Sequence, residues 1–416
     1  MDHITYGLDF GTTNSAIAYL NNGEVEIVPV GLGGAETMKS VLFFPEEKIF
    51  PIIGDEGVQT YISSGMQGRL LQSIKAILPD EAFEGTIIKG NYYEIEDLVS
   101  RIMITLKKAA DAAVGQNVKS VIIGRPARFS TNPHEEMVAE RRLIEAARRA
   151  GFTDIQTQLE PIAAALSYEH TLSKAEIVMV ADLGGGTSDF TIMQLGPHRN
   201  KGEDRKSDIL STGGVYIGGD RFDSIIMRNH LIKYFGANLK WQSWEKWLDL
   251  PSHIVKQLCE WHRITFLKNP EDMEFIRRLA TCSDDPESSL RLQALIEENL
   301  GYSLFRAIER AKCHLSEAEK AQIKFFHSRI KIKETILRSA FSDDIRDEAH
   351  QVVNCAKTVL SDAGLKPTDI HTVFMTGGTS YVPLLRQEIT QIFGRDIIRN
   401  EHVFTSVVRG LALSAK

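Results

Sequence analysis

The sequence predicts a mixed α/β protein built from two similar halves with a cleft between them. The first observation is a pattern that occurs twice, ending near residue 20 and near residue 195. In each copy an apolar extended run ends in aspartate, a turn of glycine and threonine follows, and a second extended run leads away from the turn. The second observation is that helical stretches with apolar residues at helical spacing lie between the extended runs. A repeated strand-turn-strand unit favours a duplicated fold.

The first half begins with a predicted β-hairpin. Residues 4–9 and 15–20 are rich in β-branched and aromatic side chains and flank a Gly-Thr-Thr turn. Two amphipathic stretches are each followed by a glycine suited to the end of a helix. These glycines are Gly115 and Gly151. The later elements of this half are predicted as a helix over 96–114, a strand over 118–124 and a helix over 135–150.

The second half begins with a hairpin of the same kind, which joins residues 177–182 to residues 188–195 across three consecutive glycines. From residue 222 to about residue 340 the pattern is mostly helical, and no strand pattern of comparable strength occurs there. The remaining elements are predicted as a helix over 342–363, a strand over 373–376 and a last helix over 406–415.

Composition and charge exclude several classes of protein. The 48 basic and 55 acidic residues leave a net charge of −7, and nucleic-acid-binding proteins usually carry a basic face. No apolar run reaches the roughly 18 residues of a membrane helix, and the first ten residues lack the pattern of a secretory signal. Four cysteines without a CxxC pair are too few for a disulfide framework. We therefore expect a cytoplasmic protein with reduced thiols and no membrane or nucleic-acid partner.

The two glycine-threonine turns have the composition of phosphate-binding loops. Glycine lets the backbone approach a phosphate, and N–H groups and threonine hydroxyls donate to its oxygens. A single turn of this kind is equally well a plain hairpin turn, but two turns can clamp one polyphosphate. Asp9 and Asp182 precede the turns and would hold Mg²⁺ through water, because Mg²⁺ keeps several waters and takes few carboxylates.

Two further glycine pairs stand at predicted strand-to-helix junctions. Gly218 and Gly219 come just before a helix that starts near residue 222, and Gly377 and Gly378 follow the strand over 373–376. Glycines at a helix N-terminus favour anion binding. Either pair taken alone is also explained by a tight connection.

Taken together, these motifs resemble the ATPase domain of the heat-shock chaperones of the seventy-kilodalton (DnaK) class, within the actin-like ATPase superfamily. The resemblance covers essentially the whole chain. The matching motifs, in order, are DFGTTNS, LEPIAAALSYE, DLGGGTSDF, GGDRFD, ERAKCHLS and TGGTSYVP.

The resemblance implies an actin-like ATPase fold with two duplicated ribonuclease-H-like lobes around a deep nucleotide cleft. The first lobe would be residues 1–172, with a core of 1–38 and 117–172 and an inserted subdomain over 39–116. The second would be residues 173–416, with a core of 173–223 and 342–416 and an inserted, mostly helical subdomain over 224–341.

The resemblance also implies roles for individual residues. Asp9 and Asp182 would hold Mg²⁺, Lys75 would reach the γ-phosphate and position the attacking water, and Glu160 would lie at that water. The catalytic set would be Lys75, Glu160, Asp182 and Thr187. From the residues alone, Lys75 reads as a surface lysine and Glu160 as a charge at a helix start. The other positions implied to bind ATP or ADP are Gly11, Thr12, Thr13, Asn14, Gly184, Gly185, Gly186, Gly218, Gly219, Glu309, Lys312, Cys313, Ser316, Gly377, Gly378, Thr379 and Tyr381.

The sequence departs from the family at the base-binding end. Cys313 and Tyr381 occupy the positions of the two arginines that stack on adenine, and Phe404 replaces an aspartate near the last helix. The family's LIGR segment after the lysine is replaced by residues 77–80. In length the chain resembles the short, YegD-like branch, so we expect no peptide-binding domain.

We predict a slow Mg-dependent ATPase that acts as a nucleotide-driven conformational switch, and a monomer. The alternatives are a small-molecule kinase of the same superfamily, a filament-forming actin-like protein and a nucleotide-binding scaffold that does not hydrolyse. Trp241, Trp244 and Trp247 recur every three residues, and Trp261 follows. We expect the first three near one face of a helix, as the core of the helical subdomain or as the surface for a protein partner such as a co-chaperone.

Overall fold

The computed structural model describes residues 4–48, 50–64, 67–130, 132–169, 171–197, 205–261, 263–399 and 405–415. Strands and helices alternate through the first part of the chain. They are β1 (Thr5–Phe10), β2 (Asn14–Asn21), β3 (Glu24–Ile27), β4 (Met38–Lys39), β5 (Val41–Phe44), β6 (Ile52–Ile53), α1 (Gly54–Ser63), β7 (Arg69–Gln72), β8 (Gly85–Ile88), β9 (Asn91–Glu94), α2 (Ile95–Val114), β10 (Ser120–Arg125), α3 (Pro133–Arg149), β11 (Asp154–Leu159) and α4 (Glu160–Glu169).

The second part of the chain repeats the opening hairpin and then adds a long helical stretch. Its elements are β12 (Glu176–Leu183), β13 (Ser188–Leu195), β14 (Ile209–Val215), α5 (Gly219–Ile226), β15 (Lys240–Ser243), β16 (Lys246–Asp249), α6 (Ser252–Leu258), α7 (Pro270–Cys282), α8 (Pro286–Glu297), α9 (Gly301–Leu315), β17 (Lys320–His327), β18 (Ile330–Leu337), α10 (Arg338–Asp344), α11 (Arg346–Asp362), β19 (Thr372–Thr376), α12 (Pro383–Phe393), β20 (Ile398–Arg399) and α13 (Ser406–Leu413).

The predicted hairpins and the two long helices of the first half are confirmed. β1 pairs with β2, and β12 with β13, in antiparallel register around the glycine turns. Helix α2 ends at Gly115, which is left-handed with φ of 77°. Helix α3 starts with Pro133, and the Asn132 side chain accepts a hydrogen bond from the His134 N–H at its N-terminus.

Two sheets with the same strand order and the same strand directions form the centre of the protein. The first runs β3-β2-β1-β10-β11, and the second runs β14-β13-β12-β19-β20. In both, the first three strands are antiparallel to one another and the last three are parallel. The aspartates that precede the two glycine loops therefore lie at equivalent places, on the middle strand of each sheet.

Helices α4 and α13 pack against each other where the chain passes between the two sheets. One face of α4, including Ile162 and Ala165, packs on Val178 and Val180 of the second sheet. Helix α13, which we grouped with the second half, packs on α4 and on β1, β2 and β10 of the first sheet. Within the described residues, no helix is long and apolar enough to cross a membrane.

The expectation that residues 222–340 are mostly helical, without a strand pattern as strong as those of the opening hairpins, is only partly right. The stretch contains the predicted helices, but also the hairpins β15–β16 and β17–β18. On β17, Ala321, Ile323 and Phe325 are buried and the residues between them are exposed, which is the alternation of a half-buried strand. The predicted helix over 342–363 corresponds to α11, and Ile345 separates it from the short α10.

The tryptophans do not share a helix face, so that expectation is wrong. Trp241 and Trp247 lie on the strands of a hairpin, and Trp244 lies in its turn with φ of 56°. Trp241 packs edge-on against Phe275, with 5.0 Å between ring centroids, whereas 95% of the Trp244 surface is exposed. Trp241 therefore packs against the core, whereas a protein partner at the exposed Trp244 stays a prediction.

Candidate functional site

The turn between β1 and β2 is held in shape by its own backbone. A Cβ at Gly11 would come within 2.2 Å of the Asn14 carbonyl oxygen, so the turn requires glycine. The Ser40 hydroxyl donates to the Gly11 carbonyl at 2.7 Å, and the Ser40 N–H donates to the Thr13 carbonyl at 2.9 Å. The first loop is therefore fixed before any ligand binds.

The second loop, after β12, is bonded to the start of α5. The N–H groups of Gly219 and Asp220 donate to the carbonyls of Gly184 and Gly185, at 3.1 and 2.8 Å. A Cβ at Gly218 would lie 2.4 Å from the Gly185 oxygen, so the two segments touch backbone to backbone. The glycines of the DLGGGTSDF and GGDRFD motifs make this close backbone contact possible, because they have no side chains.

The turn after β19 joins the same cluster of loops. Gly377 has φ of 75°, and a Cβ there would lie 2.2 Å from the Leu183 oxygen. The Thr379 hydroxyl donates to the Gly184 carbonyl at 2.7 Å. Residues that are up to 195 positions apart in sequence thus meet at one loop.

A cavity of about 1970 Å³ opens between the two sheets and the helical region. Of the predicted site residues, Gly218 does not line it but lies behind Gly185. The predicted residues that line the cavity are Asp9, Gly11, Thr12, Thr13, Asn14, Lys75, Glu160, Asp182, Gly184, Gly185, Gly186, Thr187, Gly219, Glu309, Lys312, Cys313, Ser316, Gly377, Gly378, Thr379 and Tyr381.

Lys75 and Glu160 form a buried ion pair in the wall of this cavity. The Lys75 Nζ donates to the Glu160 Oε1 at 2.6 Å, and the exposed fractions of the two side chains are 9% and 12%. Burial alone would lower the pKa of Lys75, but Glu160 and Asp9 raise it above its ordinary value. The surface interpretation of Lys75 is therefore wrong, and Glu160 both starts α4 and faces the cavity.

Asp9 and Asp182 lie close enough to this pair for their charges to interact. Burial and the charge of Glu160 raise the pKa of Asp9 to about 7, and the same two causes raise the pKa of Asp182. The Thr376 hydroxyl donates to the Asp182 Oδ1 at 3.0 Å. Three carboxylates and one ammonium group therefore share a poorly solvated site, which suits a ligand that brings a cation.

Asp223 is a site residue that sequence reasoning missed, although the GGDRFD motif contains it. The Lys312 Nζ donates to the Asp223 Oδ2 at 2.9 Å and to the Gly219 carbonyl at 2.8 Å. Burial raises the pKa of Asp223 to about 7, and its Oδ1 has no hydrogen-bond partner in the described structure. This ion pair holds the ammonium group of Lys312 at the wall of the cavity, where α9 meets the start of α5.

The base-binding end of the predicted site lacks a stack of two arginines. Cys313 is an exposed thiol on α9, and Tyr381, which precedes α12, is 43% exposed. Arg386, one turn into α12, also lines the cavity. Glu309 pairs with Arg306 on its own helix. Phe404 lies outside the described residues.

Arg142 anchors the segment that follows Lys75, where the sequence departs from the family. From α3 its buried guanidinium donates to the carbonyls of Leu78, Asp80 and Phe83, at 2.9, 2.8 and 3.1 Å. We predict that Arg142→Met destabilises the protein by about 3 kcal/mol, because three carbonyls lose a charged donor. Urea unfolding would measure this, with the exposed Arg141→Met as the matched control. A loss below about 1 kcal/mol would contradict the anchoring role.

Among the described residues, no group of three or more His, Cys, Asp or Glu side chains is arranged to hold a metal ion. Asp9 and Asp182 are two carboxylates, and Mg²⁺ commonly uses only one or two with substrate phosphates and water. The donor set therefore fits Mg²⁺ only together with a phosphorylated ligand.

A comparison with protein families identifies relatives of this chain. The family model described as Hsp70 protein matches residues 5–250 and 292–416. The match covers most of the chain and includes every glycine loop described above. The residues between the two matched ranges contain α6, α7 and the first half of α8.

Proposed function

Because the chain belongs to the Hsp70 family, and so is an ATP-binding, chaperone-like protein, we propose that it hydrolyses ATP slowly with Mg²⁺ and switches conformation with its nucleotide state. One observation carries the proposal. The buried Lys75–Glu160 pair lies beside Asp9 and Asp182 at the meeting point of the glycine loops. Phosphoryl transfer needs charge neutralisation and positioning more than a strong base, and these side chains supply both.

The loops suit the phosphates of a nucleotide. A Cβ at Gly185 would come within 2.8 Å of the Thr13 Oγ1, so the loops of the two sheets approach each other closely. Backbone without side chains on both sides lets phosphate oxygens reach N–H groups. Thr12, Thr13 and Thr187 add hydroxyl donors, and Glu309 and Lys312 on α9 face the ribose.

Asp9 and Asp182 would hold Mg²⁺ through water, as this pair of carboxylates together with phosphate oxygens makes a suitable donor set. When bound, the ion supplies neutralisation of the phosphate charge. The protein's own part is to keep the two carboxylates apart and oriented, which the Thr376 hydrogen bond does for Asp182.

Lys75 and Glu160 orient the water that attacks the γ-phosphate. The ammonium group, held at 2.6 Å by Glu160, has further N–H groups for a phosphate oxygen and for water. Glu160 can accept a proton from that water with its second oxygen. Because both side chains are buried, their movement away from the cavity wall is restricted.

Helix α4 links the chemistry to the rest of the fold. Its first residue is Glu160, one face packs on the second sheet, and another packs on α13 against the first sheet. A nucleotide with different contacts before and after hydrolysis would shift the relative position of the two sheets. A protein partner would then detect the nucleotide state.

Calorimetric titration with ADP, ATP and GTP, with and without Mg²⁺, tests the proposal when it is coupled to phosphate release. We expect magnesium-dependent binding that prefers adenine nucleotides, followed by slow release of phosphate. Binding without release would favour the scaffold, and transfer of phosphate to an added hydroxyl compound would favour the kinase. Equal affinity for ATP and GTP would show that Cys313 and Tyr381 do not form an adenine pocket.

Asp9→Asn should weaken magnesium-dependent ATP binding by about tenfold or more, because it removes one of two carboxylates.

The wild-type protein should also bind Mg-ATP more tightly as the pH rises. The pKa of Asp9 is raised to about 7, so the carboxyl is mostly protonated at pH 6 and mostly ionised at pH 8. One released proton predicts about a tenfold gain over that range. Equal wild-type affinity with and without Mg²⁺ would contradict the metal site.

Membership of the short, YegD-like branch, a cytoplasmic location and a monomeric state stay predictions.

A further inference from the structure

The hairpin β17–β18 has one face in the core and one face in solvent. On the inner face Ile323, Phe325 and Ile332 are at most 3% exposed and belong to the large core. Its outer side chains form what we call the basic face. This face consists of Lys320, Gln322, Lys324, Phe326, Lys331, Lys333, Thr335 and Leu337.

The basic face carries a pair of like charges directly opposite each other. Lys324 and Lys333 are partners in the antiparallel register, and Lys331 lies two residues from Lys333 on the same face. Like charges in opposed positions destabilise a hairpin. The face contains four lysines and no acidic residue, although the chain as a whole has a net charge of −7.

No described residue neutralises these lysines. None of the four forms an ion pair with a described carboxylate, and the nearby Glu334 accepts instead from Tyr234 and pairs with Lys233. An arrangement that costs stability and is left unbalanced within the protein points to a ligand that supplies the missing negative charge.

Two apolar side chains lie at opposite ends of the basic face. Phe326, near the turn, is 57% exposed, and Leu337, at the open end, is 52% exposed. In the register they are separated by the Lys324–Lys333 and Gln322–Thr335 pairs. At about 3.3 Å per residue the two apolar positions are roughly 20 Å apart, which is the length of a short extended segment.

We propose that the basic face binds an acidic, extended segment of a partner protein, with carboxylates at its centre and an apolar side chain at each end. The lysines would pair with the carboxylates, and Phe326 and Leu337 would cover the apolar ends. A nucleic acid is disfavoured, because its uniform charge would leave the apolar ends uncovered and would meet an acidic protein around a short basic patch.

This site is separate from the nucleotide cavity, since none of its residues lines that cavity. The inner face of β17 packs on α9, which carries Glu309 and Lys312. Peptide binding and nucleotide binding can therefore be measured independently, and failure of one leaves the other standing.

The test is fluorescence anisotropy with a fluorescein-labelled ten-residue peptide that has leucine and phenylalanine at its ends and aspartate and glutamate between them. The control peptide replaces every acid with its amide. We expect the acidic peptide to bind the full chain at least tenfold more tightly than the amide peptide, and Lys333→Glu to weaken that binding by at least tenfold. The exposed Lys108→Glu on α2 makes the same charge change elsewhere and should leave binding unchanged.

Lys333→Glu places an acid opposite Lys324 and should not lower the melting temperature, so a loss of binding by this variant is not a loss of fold. Lys324→Glu repeats the test from the other strand. Equal binding of the two peptides, or unchanged binding by both variants, would overturn the proposal. Tighter binding of a labelled single-stranded oligonucleotide than of the acidic peptide would also overturn it and assign the face to nucleic acid.

Discussion

Lys75→Ala should abolish release of phosphate while the protein still binds Mg-ATP. Lys75 is the ammonium group held against Glu160 in the cavity wall, and removing it takes away a donor that acts where charge develops in the transition state. Loss of a single donor of this kind typically lowers turnover by about 10²–10³-fold. In the proposed site the nucleotide contacts come mainly from the glycine loops and from α9, so nucleotide affinity should change little. Phosphate release under single-turnover conditions, with calorimetric titration of the same sample, measures both quantities.

Lys107 provides a matched control for this variant. It is also a buried lysine with a carboxylate partner, Asp111, at 2.5 Å, but it lies on α2 and does not line the cavity. Lys107→Ala should cost stability as Lys75→Ala does, because each removes the ammonium group that pairs with a carboxylate. It should keep turnover. Unchanged turnover in Lys75→Ala would refute the assignment of Lys75.

Gly410→Val should unfold or severely destabilise the protein. Gly410 on α13 crosses α4 so closely that a Cβ would lie 1.7 Å from the Ala163 oxygen. Both helices are buried there, so neither can move aside without leaving its sheet. Forcing extra atoms into a packed core commonly costs about 1–3 kcal/mol, and a backbone clash of this kind should exceed that range. Because α4 begins with Glu160, any Gly410→Val protein that remains folded should also lose phosphate release.

Thermal unfolding with and without ATP measures the effect of Gly410→Val. The matched control is Gly196→Ala, at another buried glycine, where a Cβ would meet Ala175 at ordinary contact distances of 3.4 Å or more. That variant should unfold within a few degrees of the wild type. A Gly410→Val protein as stable as the control would show that α4 and α13 do not cross as tightly as the structure has them.

Turn residues decided which hairpins the sequence could predict. The hairpins β1–β2 and β12–β13 have glycine turns between runs rich in β-branched and aromatic residues. The predicted bounds of both hairpins lie close to the observed ones. The hairpins β15–β16 and β17–β18 were missed. Their turns place Trp244 and Ser328 at positive φ, where glycine or asparagine is the usual signal. For β17 the alternation of buried side chains was present, but a charged stretch without a recognisable turn did not stand out.

The candidate site was predictable only where chemistry is local in sequence. Each glycine loop is a continuous motif, so its residues could be named in advance. The pairing of Lys75 with Glu160 joins side chains 85 positions apart, and that of Lys312 with Asp223 joins side chains 89 apart. In the sequence alone, neither lysine can be distinguished from a surface lysine. Only the fold shows that both are buried. The family resemblance supplied the role of Lys75, whereas the burial of Asp223 came from the structure alone.

Hydrolysis at the Lys75–Glu160 pair is tested by a single-turnover experiment in which the protein is loaded with γ-labelled ATP and Mg²⁺ is then added. We expect the wild-type protein to release about one phosphate per bound ATP slowly, and Lys75→Ala to retain intact ATP in the same complex. If the wild-type protein binds Mg-ATP and releases no phosphate, the buried Lys75–Glu160 pair does not support hydrolysis and the protein is not an ATPase.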